Sequence, residues 1–487
     1  MAKRWILVID KYDGITKNAV NMLSGYLSEL ISYVLPVRFI DQISKAELEE
    51  SNIIAVGNCK THAILSDLKQ KGLICVPSES EGYAIFVGKT TDDEENQTIA
   101  IAGYDESGLL YGCMHFISEY CNDIIYKQKY IWNEICYKNQ LENSLPEWKV
   151  SSYPAIKTRA IWTWGFVIWD YRAFFDNMAR LRLNEVVIWN DHVPFNTKDV
   201  VEYAHSLGIK VVWGFAWGWA LSCTQVLEQL NDETGLKKLK ESVLATYESQ
   251  YVNSGCDGIY FQSFTEMNTD MVNGKCVAEI VTEVVNDIAG ELFNRYPSLH
   301  IQFGLHATSV KTHLDMMQKV DKRIHIVWED CGAFPYDYYA DAIDGFDETY
   351  DFTDKLLELR GNDERFGAVY KGMLKLNWRK FEHHKGAFIL GERTRKFMRE
   401  RQIEKDKIWK IVRGNWLRNS EYLRKTVELT AKKGSKECIL QALVEDSMLE
   451  NKIALPVAIY AQTLWNPFMK TEEIIEMASK NPFVENE

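Results

Sequence analysis

From Lys157 onward the chain alternates short apolar runs with amphipathic segments, and this alternation restricts the fold more than any other feature. Strand and helix units that follow one another in this way produce a parallel sheet, because each helix returns the chain to the same edge. Their number and a span of about 250 residues favour a (β/α)8 TIM barrel over an open doubly wound sheet. The candidate strands are RAIWTWGF, NEVVIWND, IKVVWGFAWG, GIYFQSFTE, HIQFGLH, RIHIVWEDCG, AVYKGMLKLNW and KIWKIVRGNW.

The regions on either side of this alternation have different sequence patterns. Residues 1–150 contain short β runs closed by glycine, such as NIIAVG and QTIAIAGY, and segments with helical spacing, which predict a small N-terminal α/β domain. The catalytic barrel is predicted over residues 151–418, and residues 419–487 read as a helical C-terminal region. The predicted fold class is therefore α/β, with a barrel between two smaller parts.

Charge and cysteine content exclude several classes of protein. The 487 residues carry a formal net charge of −13 with scattered basic residues, which argues against nucleic-acid and anionic-membrane partners. No apolar stretch approaches the roughly 20 residues that span a bilayer, and the first residues are expected to form a strand and not a secretory signal. The ten cysteines occur singly, without a CxxC pair, so we expect reduced thiols and a cytoplasmic protein.

The chemistry of such barrels lies at the C-terminal ends of the strands, and the predicted ends share one character. Tryptophans recur there and could form an apolar wall on which sugar rings stack, although tryptophans in strands more often belong to the core. These tryptophans are Trp162, Trp164, Trp189, Trp213, Trp217 and Trp328. Polar side chains suited to sugar hydroxyls or a substituent accompany them, namely Asn190, Asp191, His192, His306 and Lys375.

Two carboxylates complete this set. Glu266 follows the fourth predicted strand and Glu329 follows the sixth, so the two side chains can face each other across the barrel mouth. Glycoside hydrolysis needs such a pair, with one group protonating the leaving oxygen and the other acting as nucleophile or activating water. Apolar neighbours of Glu266 would favour its protonated form and suit it to be the acid. Asp330 is an alternative to Glu329, and a lone glutamate after a strand is often only a loop residue or helix cap.

Several stretches together resemble the alpha-glucuronidase family of glycoside hydrolases, family 67, and more loosely the hexosaminidase-type families. EGYAIFVG and TIAIAGYDESGLLYGCMHFI are similar to their N-terminal domain, and AIYAQTLWNPFMKTEEI to a C-terminal motif. GIYFQSFTEMN is similar to the strand with the catalytic acid, which implies that role for Glu266, and IVWEDCG implies a basic carboxylate at Glu329. The family has a further catalytic aspartate after its fifth strand, where this chain reads FGLHATSV with His306.

These observations predict a glycoside hydrolase that removes terminal units from a small oligosaccharide or glycoside. The resemblance suggests a uronic acid substrate, for which Arg159 or Lys375 would supply the cation. No cofactor is expected, and a homodimer is left open. A carbohydrate-binding protein without catalysis is one alternative. The other is a metal-dependent barrel enzyme, whose ligands would be Asp191, His192, Glu266 and His306.

Overall fold

The structure is a computed structural model. It describes residues 3–90, 96–125, 145–190, 192–218, 233–266, 269–272, 274–306, 309–329, 345–360, 365–373, 386–434 and 437–485.

The N-terminal part is a six-stranded sheet with helices on both faces. Its inner strands are buried along their whole length and mostly apolar, because both faces are covered. The strand order is β2-β1-β3-β5-β4-β6, and β4 runs antiparallel to both of its neighbours. The strands are β1 (Trp5–Ile9), β2 (Val37–Phe39), β3 (Asn52–Gly57), β4 (Tyr83–Gly88), β5 (Thr98–Gly103) and β6 (Trp148–Ser152). The helices are α1 (Gly14–Leu27), α2 (Lys45–Glu50), α3 (Ala63–Gln70) and α4 (Glu106–His115), with a π-helical segment at Phe116–Ile125.

The central part is a closed barrel of eight parallel strands. Its order is β10-β13-β14-β15-β16-β7-β8-β9, which confirms the predicted barrel fold. The strands are β7 (Thr158–Trp164), β8 (Glu185–Trp189), β9 (Lys210–Ala216), β10 (Gly258–Gln262), β13 (His300–Leu305), β14 (Ile324–Trp328), β15 (Phe366–Met373) and β16 (Ile439–Val444). A two-residue hairpin is formed by β11 (Met271–Val272) and β12 (Lys275–Cys276), and a second small sheet by β17 (Ile453–Ala454) and β18 (Val484–Glu485).

Helices surround the barrel and follow it in the chain. None of those in the described ranges combines the length and apolarity needed to cross a bilayer. The helices are α5 (Tyr171–Arg180), α6 (Thr197–Ser206), α7 (Glu233–Thr246), α8 (Val277–Arg295), α9 (Leu314–Met317), α10 (Gly345–Arg360), α11 (Arg395–Lys433), α12 (Leu455–Trp465) and α13 (Thr471–Lys480). The structure also has a 3-10 turn at Gly165–Val167 and a π-helical segment at Tyr247–Tyr251.

The eighth strand is not where the sequence pattern placed it. The segment KIWKIVRGNW lies inside the long helix α11, and β16 closes the barrel instead. Trp409, Val412 and Trp416 follow one another at spacings of three and four residues, which is the period of a helix. The barrel therefore extends beyond residue 418, into the region predicted as helical. That region does contain α12 and α13, and the division of the chain into three domains stays a prediction.

Candidate active site

Glu329 is the best-defined polar group at the mouth of the barrel. It directly follows β14 and is only 3% exposed. Tyr260 and Gln262 reach it from β10, although β13 lies between β10 and β14. Gly304 of β13 makes this reach possible, because a Cβ there would lie 2.1 Å from Glu329 Oε1 and 2.4 Å from the Tyr260 hydroxyl. The glycine thus opens the space in which these side chains meet.

Both oxygens of Glu329 are contacted by donors. The Tyr260 hydroxyl donates to Oε1 at 2.5 Å, and the Gln262 amide lies 2.6 Å from each oxygen. His306 Nε2 lies 3.0 Å from Oε2, and Lys371 Nζ lies 3.7 Å from the same atom. Burial would raise the pKa of this carboxyl, but the charges of His306 and Lys371 and the hydrogen bonds outweigh it and lower the pKa to about 2. Glu329 is therefore an anion across the physiological range.

The alternation of side chains along the strands explains this convergence. Tyr260 and Gln262 are two residues apart on β10 and so point to the same side, into the barrel. Lys371 is the buried cation of the otherwise mostly apolar β15, and His306 directly follows β13. Four neighbouring or near-neighbouring strands thereby contribute to one polar cluster.

Glu266 lies on the solvent side of this cluster. Its side chain is 54% exposed, so the desolvation expected from its apolar neighbours is not found. The strand β10 ends at Gln262, and the following turn carries Glu266 out of the apolar interior. Its Oε2 atom lies 3.9 Å from His306 Nε2, which in turn lies 3.0 Å from Glu329 Oε2. The two carboxylate oxygens are therefore no further apart than the sum of these distances, about 7 Å.

Backbone contacts fix the turn before Glu266 to the end of β13. The His306 amide donates to Thr265 Oγ1 at 3.1 Å, and the Ser309 amide donates to the Thr265 carbonyl at 3.3 Å. The Ser309 hydroxyl also donates to that carbonyl. Thr265 is fully buried. These hydrogen bonds hold the backbone beside Glu266 close to His306.

The predicted tryptophans divide into two groups according to strand alternation. Trp162, Trp164 and Trp189 point into the barrel and pack with Tyr260. Gly214 on β9 leaves room for the Trp189 ring, since a Cβ there would lie 2.8 Å from its edge. The three rings are 3–5% exposed, so they form the upper interior of the barrel and little of their surface is open to solvent.

The other three tryptophans do not belong to the mouth. Trp213, Trp217 and Trp328 lie in the core between strands and helices and are at most 1% exposed. Trp217 stacks on Phe261 with ring centroids 3.7 Å apart, and Trp328 meets Phe352 edge-on. Their prediction as sugar-binding residues is wrong, because Trp213 and Trp328 occupy outward positions on their strands and Trp217 packs into the same outer core.

The polar residues after β8 are only partly described. Asn190 is 2% exposed, its amide donates to the His192 carbonyl at 3.0 Å, and its own carbonyl accepts from the Tyr251 hydroxyl. These contacts give Asn190 a role in shaping the loop, and His192 is half-buried beside it. Three further predicted site residues lie outside the described residues: Asp191, Asp330 and Lys375.

A metal centre and the proposed uronate cation can be compared with the structure. In the described ranges, no group of three or more His, Cys, Asp or Glu side chains could hold a metal ion. Arg159 lies near the N-terminal end of β7, at the opposite end of the barrel, and pairs with Glu81 at 2.8 Å. It also donates to the carbonyls of Ile156 and Arg182. Arg159 therefore links the barrel to the N-terminal part and is not available to a substrate at the mouth.

Four features of the mouth were not predicted from the sequence: the contacts of Tyr260, Gln262 and Lys371 with Glu329, and the presence of Glu445. The sequence did contain indications of the first three. Tyr260 and Gln262 are two residues apart in a strand, as side chains on the same face are, and Lys371 is a single cation in β15. Glu445 follows β16 and is 6% exposed. Burial raises its pKa to about 7, against the opposing charge of Lys405, whose Nζ lies 3.8 Å away. Glu445 was missed because the eighth strand was assigned elsewhere.

Comparisons with known proteins give similar structures but no family. No family model matches the sequence, and no curated protein matches it. A beta-N-acetylhexosaminidase from Bacteroides fragilis is similar with a TM-score of 0.48 and 12% identity, over 96% of this chain and 88% of that one. A Streptomyces plicatus beta-hexosaminidase has a TM-score of 0.46 and 9% identity, over 98% and 90%. The family 89 glycoside hydrolase of Clostridium perfringens has a TM-score of 0.47 and 8% identity, over 97% of this chain and 51% of that one.

Proposed function

We propose that this protein is a glycoside hydrolase in which Glu266 is the general acid and Glu329 is the fixed anion of the site. The observation that carries the proposal is the pairing of a half-exposed carboxyl with a buried, ionised one, about 7 Å apart at most, at the open end of the barrel. A carboxyl pair at such a separation can flank one glycosidic bond. The substrate is a small glycoside or oligosaccharide that is cleaved at its end.

The surroundings of the two carboxyl groups suit them to different tasks. Glu266 reaches solvent and can exchange a proton with a bound glycoside and then with water. Glu329 is surrounded by donors on both oxygens, which weakens it as a nucleophile and suits it to stabilise positive charge near the sugar ring. Asp330 and Asp191 remain candidates for the group that activates water.

The proposed reaction balances with these groups and one water molecule. Glu266 gives its proton to the glycosidic oxygen, the bond from the anomeric carbon to that oxygen breaks, and the electron pair stays on the leaving alcohol. A water oxygen then forms the new bond to the anomeric carbon. The proton that this water loses restores Glu266, directly or through solvent. No metal or cofactor is needed for this sequence.

The identity of the sugar is the finer part of the proposal. A uronate would need a cation at the mouth, but Lys371 already lies 3.7 Å from Glu329 and its charge is balanced there. Uronic acid specificity therefore rests on the resemblance of the sequence motifs alone. An inactive carbohydrate-binding protein is the second candidate, favoured by the histidine at the position where the family has a catalytic aspartate.

The test is hydrolysis of aryl glycosides, including glucuronides and N-acetylhexosaminides, by the wild type and by Glu266→Gln. The substitution preserves the shape of the side chain and removes its proton. We expect kcat to fall about 10²- to 10⁴-fold on substrates with poor leaving groups, and much less on activated ones.

Glu291→Gln is the matched control, because Glu291 lies on the outer helix α8 and pairs with Arg295 on the surface. Equal rates for wild type and Glu266→Gln on both classes of substrate would remove Glu266 from its role. Sugar affinity without turnover on the whole panel would favour the binding protein instead.

A further inference from the structure

His306 lies close to both carboxylates and has no role in the reaction proposed for Glu266 and Glu329. Its Nε2 atom lies 3.0 Å from Glu329 Oε2 and 3.9 Å from Glu266 Oε2. The first distance is that of a hydrogen bond, and the second needs only a small side-chain movement to become one. His306 is 5% exposed, whereas about half of the Glu266 side chain is open to solvent.

The charges around His306 favour the imidazolium form. Glu329 faces it from β14 and Glu266 from the turn after β10, so two carboxylates lie within 4 Å of one ring nitrogen. Lys371 on β15 is the opposing cation, and its Nζ lies 3.7 Å from the same Glu329 oxygen. Tyr260 and Gln262, the other groups on Glu329, are neutral donors. An opposite charge within about 4–6 Å favours the charged form of an ionisable group, and the ionised Glu329 supplies one. Glu266 supplies a second once it has given up its proton.

The backbone supports a specific position for the ring. The His306 amide is bound to Thr265 Oγ1, so the residue before Glu266 and the residue that bears the imidazole are tied together. Gly304, two residues earlier on β13, admits the Glu329 carboxylate on which the ring rests. One ring nitrogen of His306 therefore faces both a buried carboxylate, Glu329, and a half-exposed one, Glu266.

We propose that His306 is a positioning residue whose imidazolium donates its Nε2–H hydrogen bond to Glu329 at rest and turns it to Glu266 as Glu266 gives its proton to the leaving oxygen. This inference rests on the proposed function. His306 itself gives up no proton in this step; it stabilises the carboxylate that the acid becomes. The benefit is greatest where proton donation matters most, which is on substrates with poor leaving groups.

The first arm of the test is nitrogen-15 NMR of histidine-labelled wild-type protein, with the His306 signal assigned from its loss in His306→Gln. We expect His306 to hold both ring protons at pH 7 in the wild type. In Glu329→Gln the imidazolium should lose its proton at a pH at least one unit lower than in the wild type. A neutral His306 at pH 7 in the wild type overturns the inference, whether or not the protein hydrolyses glycosides. The wild-type measurement decides by itself and needs only His306→Gln for assignment, so it holds even if Glu329→Gln does not fold.

The second arm is the dependence of kcat on the leaving group, measured with aryl glycosides whose phenols span several pKa values. We expect a steeper dependence in His306→Gln than in the wild type, with a loss of at least tenfold on the poorest leaving groups and little change on the best. His205→Gln is the matched control, because His205 also pairs with a carboxylate, Asp257 at 2.8 Å, but lies on α6 away from the mouth. Equal slopes for wild type and His306→Gln overturn the inference while the proposed function stands. A wild type that hydrolyses none of the substrates overturns the proposed function and this step with it.

Discussion

Two glutamates lie inside the same barrel, one at its mouth and one at its floor, and they differ in charge. Glu329 at the mouth has donors on both oxygens, and its pKa is lowered to about 2. Glu185, the first residue of β8, is 2% exposed and accepts from the Gln302 amide at 2.8 Å. Burial raises its pKa to about 7, because this hydrogen bond and the more distant Lys210 do not compensate for the lost water.

The comparison shows that burial alone does not decide the charge of a carboxyl in this barrel. At the floor, Gln441 donates to Gln302 and Gln302 donates to Glu185 across the interior, so the direct partner of this carboxyl is uncharged. The mouth concentrates a histidine, a lysine, a tyrosine and a glutamine on one carboxylate. Such an arrangement must order four side chains around one buried charge. It leaves an anion where a substrate can approach. The mouth holds the groups to which the proposed chemistry is assigned, and the floor holds none of them.

The largest expected effect separates the two glutamates by substitution. Glu329→Gln removes an anion that compensates Lys371 and His306, so we expect a loss of about 3–5 kcal/mol in unfolding free energy at pH 7. Glu185→Gln replaces a carboxyl whose charged form is penalised by burial, so the variant should be at least as stable as the wild type at pH 7. Denaturant unfolding at pH 7 measures both. Equal losses for the two variants would remove the distinction between mouth and floor.

The pH dependence of the unfolding free energy should reflect the raised pKa of Glu185 at the floor. Between about pH 4.5 and about pH 7 the unfolded chain releases the Glu185 proton while the folded chain keeps it. Stability therefore falls as pH rises through this window, by up to about 3 kcal/mol from this residue. Wild type and Glu185→Gln should diverge over that range, with the variant becoming relatively more stable at the higher pH. Parallel curves would contradict the neutral state of Glu185.

Glu329 at the mouth should make the unfolding free energy depend on pH in the opposite direction, and at lower pH. The contribution of Glu329 is complete above about pH 4.5 and is lost as pH falls towards 2. The stability difference between wild type and Glu329→Gln should therefore shrink on acidification, by up to about 3 kcal/mol over this range. Denaturant midpoints from pH 5 to pH 2.5 measure the change. A difference that stays constant down to pH 2.5 would show that Glu329 carries no such linkage.

The smallest effect concerns the space that the mouth requires. Gly304→Ala places a Cβ against Glu329 Oε1 and the Tyr260 hydroxyl, and we expect a loss of about 1–3 kcal/mol from this overpacking. Gly290→Ala is the matched control on α8, where a new Cβ meets nothing within 4 Å. That change should stabilise the helix by about 0.5–1 kcal/mol. Thermal unfolding of both variants measures the difference, and a harmless Gly304→Ala would refute the steric argument.

The sequence was sufficient for most of the barrel because each strand is an apolar run followed by a helix with its own period. It failed at β16, where CILQALV is a short run that merges with the helical pattern after it, and where KIWKIVRGNW offered a stronger but helical cluster of aromatics. The error hid Glu445, which no local pattern could assign to the mouth. Closure of a barrel is a property of the whole sheet, and the sequence of one segment does not reveal it.

The candidate site was predicted in its two glutamates and in His306, but not in its electrostatics. Strand ends can be read from a pattern, so Glu266 and Glu329 could be placed at one face of the barrel. The direction of a side chain needs the register of each strand, which is why Trp213 and Trp328 were misassigned. The contacts of Tyr260 and Gln262 with Glu329 pass over a third strand at Gly304. Such a contact cannot be read from any one stretch of sequence.

The most direct measurement of the central claim is the titration of the Glu329 and Glu185 carboxyl carbons by carbon-13 NMR in glutamate-labelled protein. Each signal is assigned by its absence in the corresponding Gln variant. We predict that Glu329 stays ionised down to about pH 3 and that Glu185 titrates near pH 7. A Glu329 signal that titrates at or above the ordinary glutamate range would contradict the account, because the mouth would then hold no fixed anion.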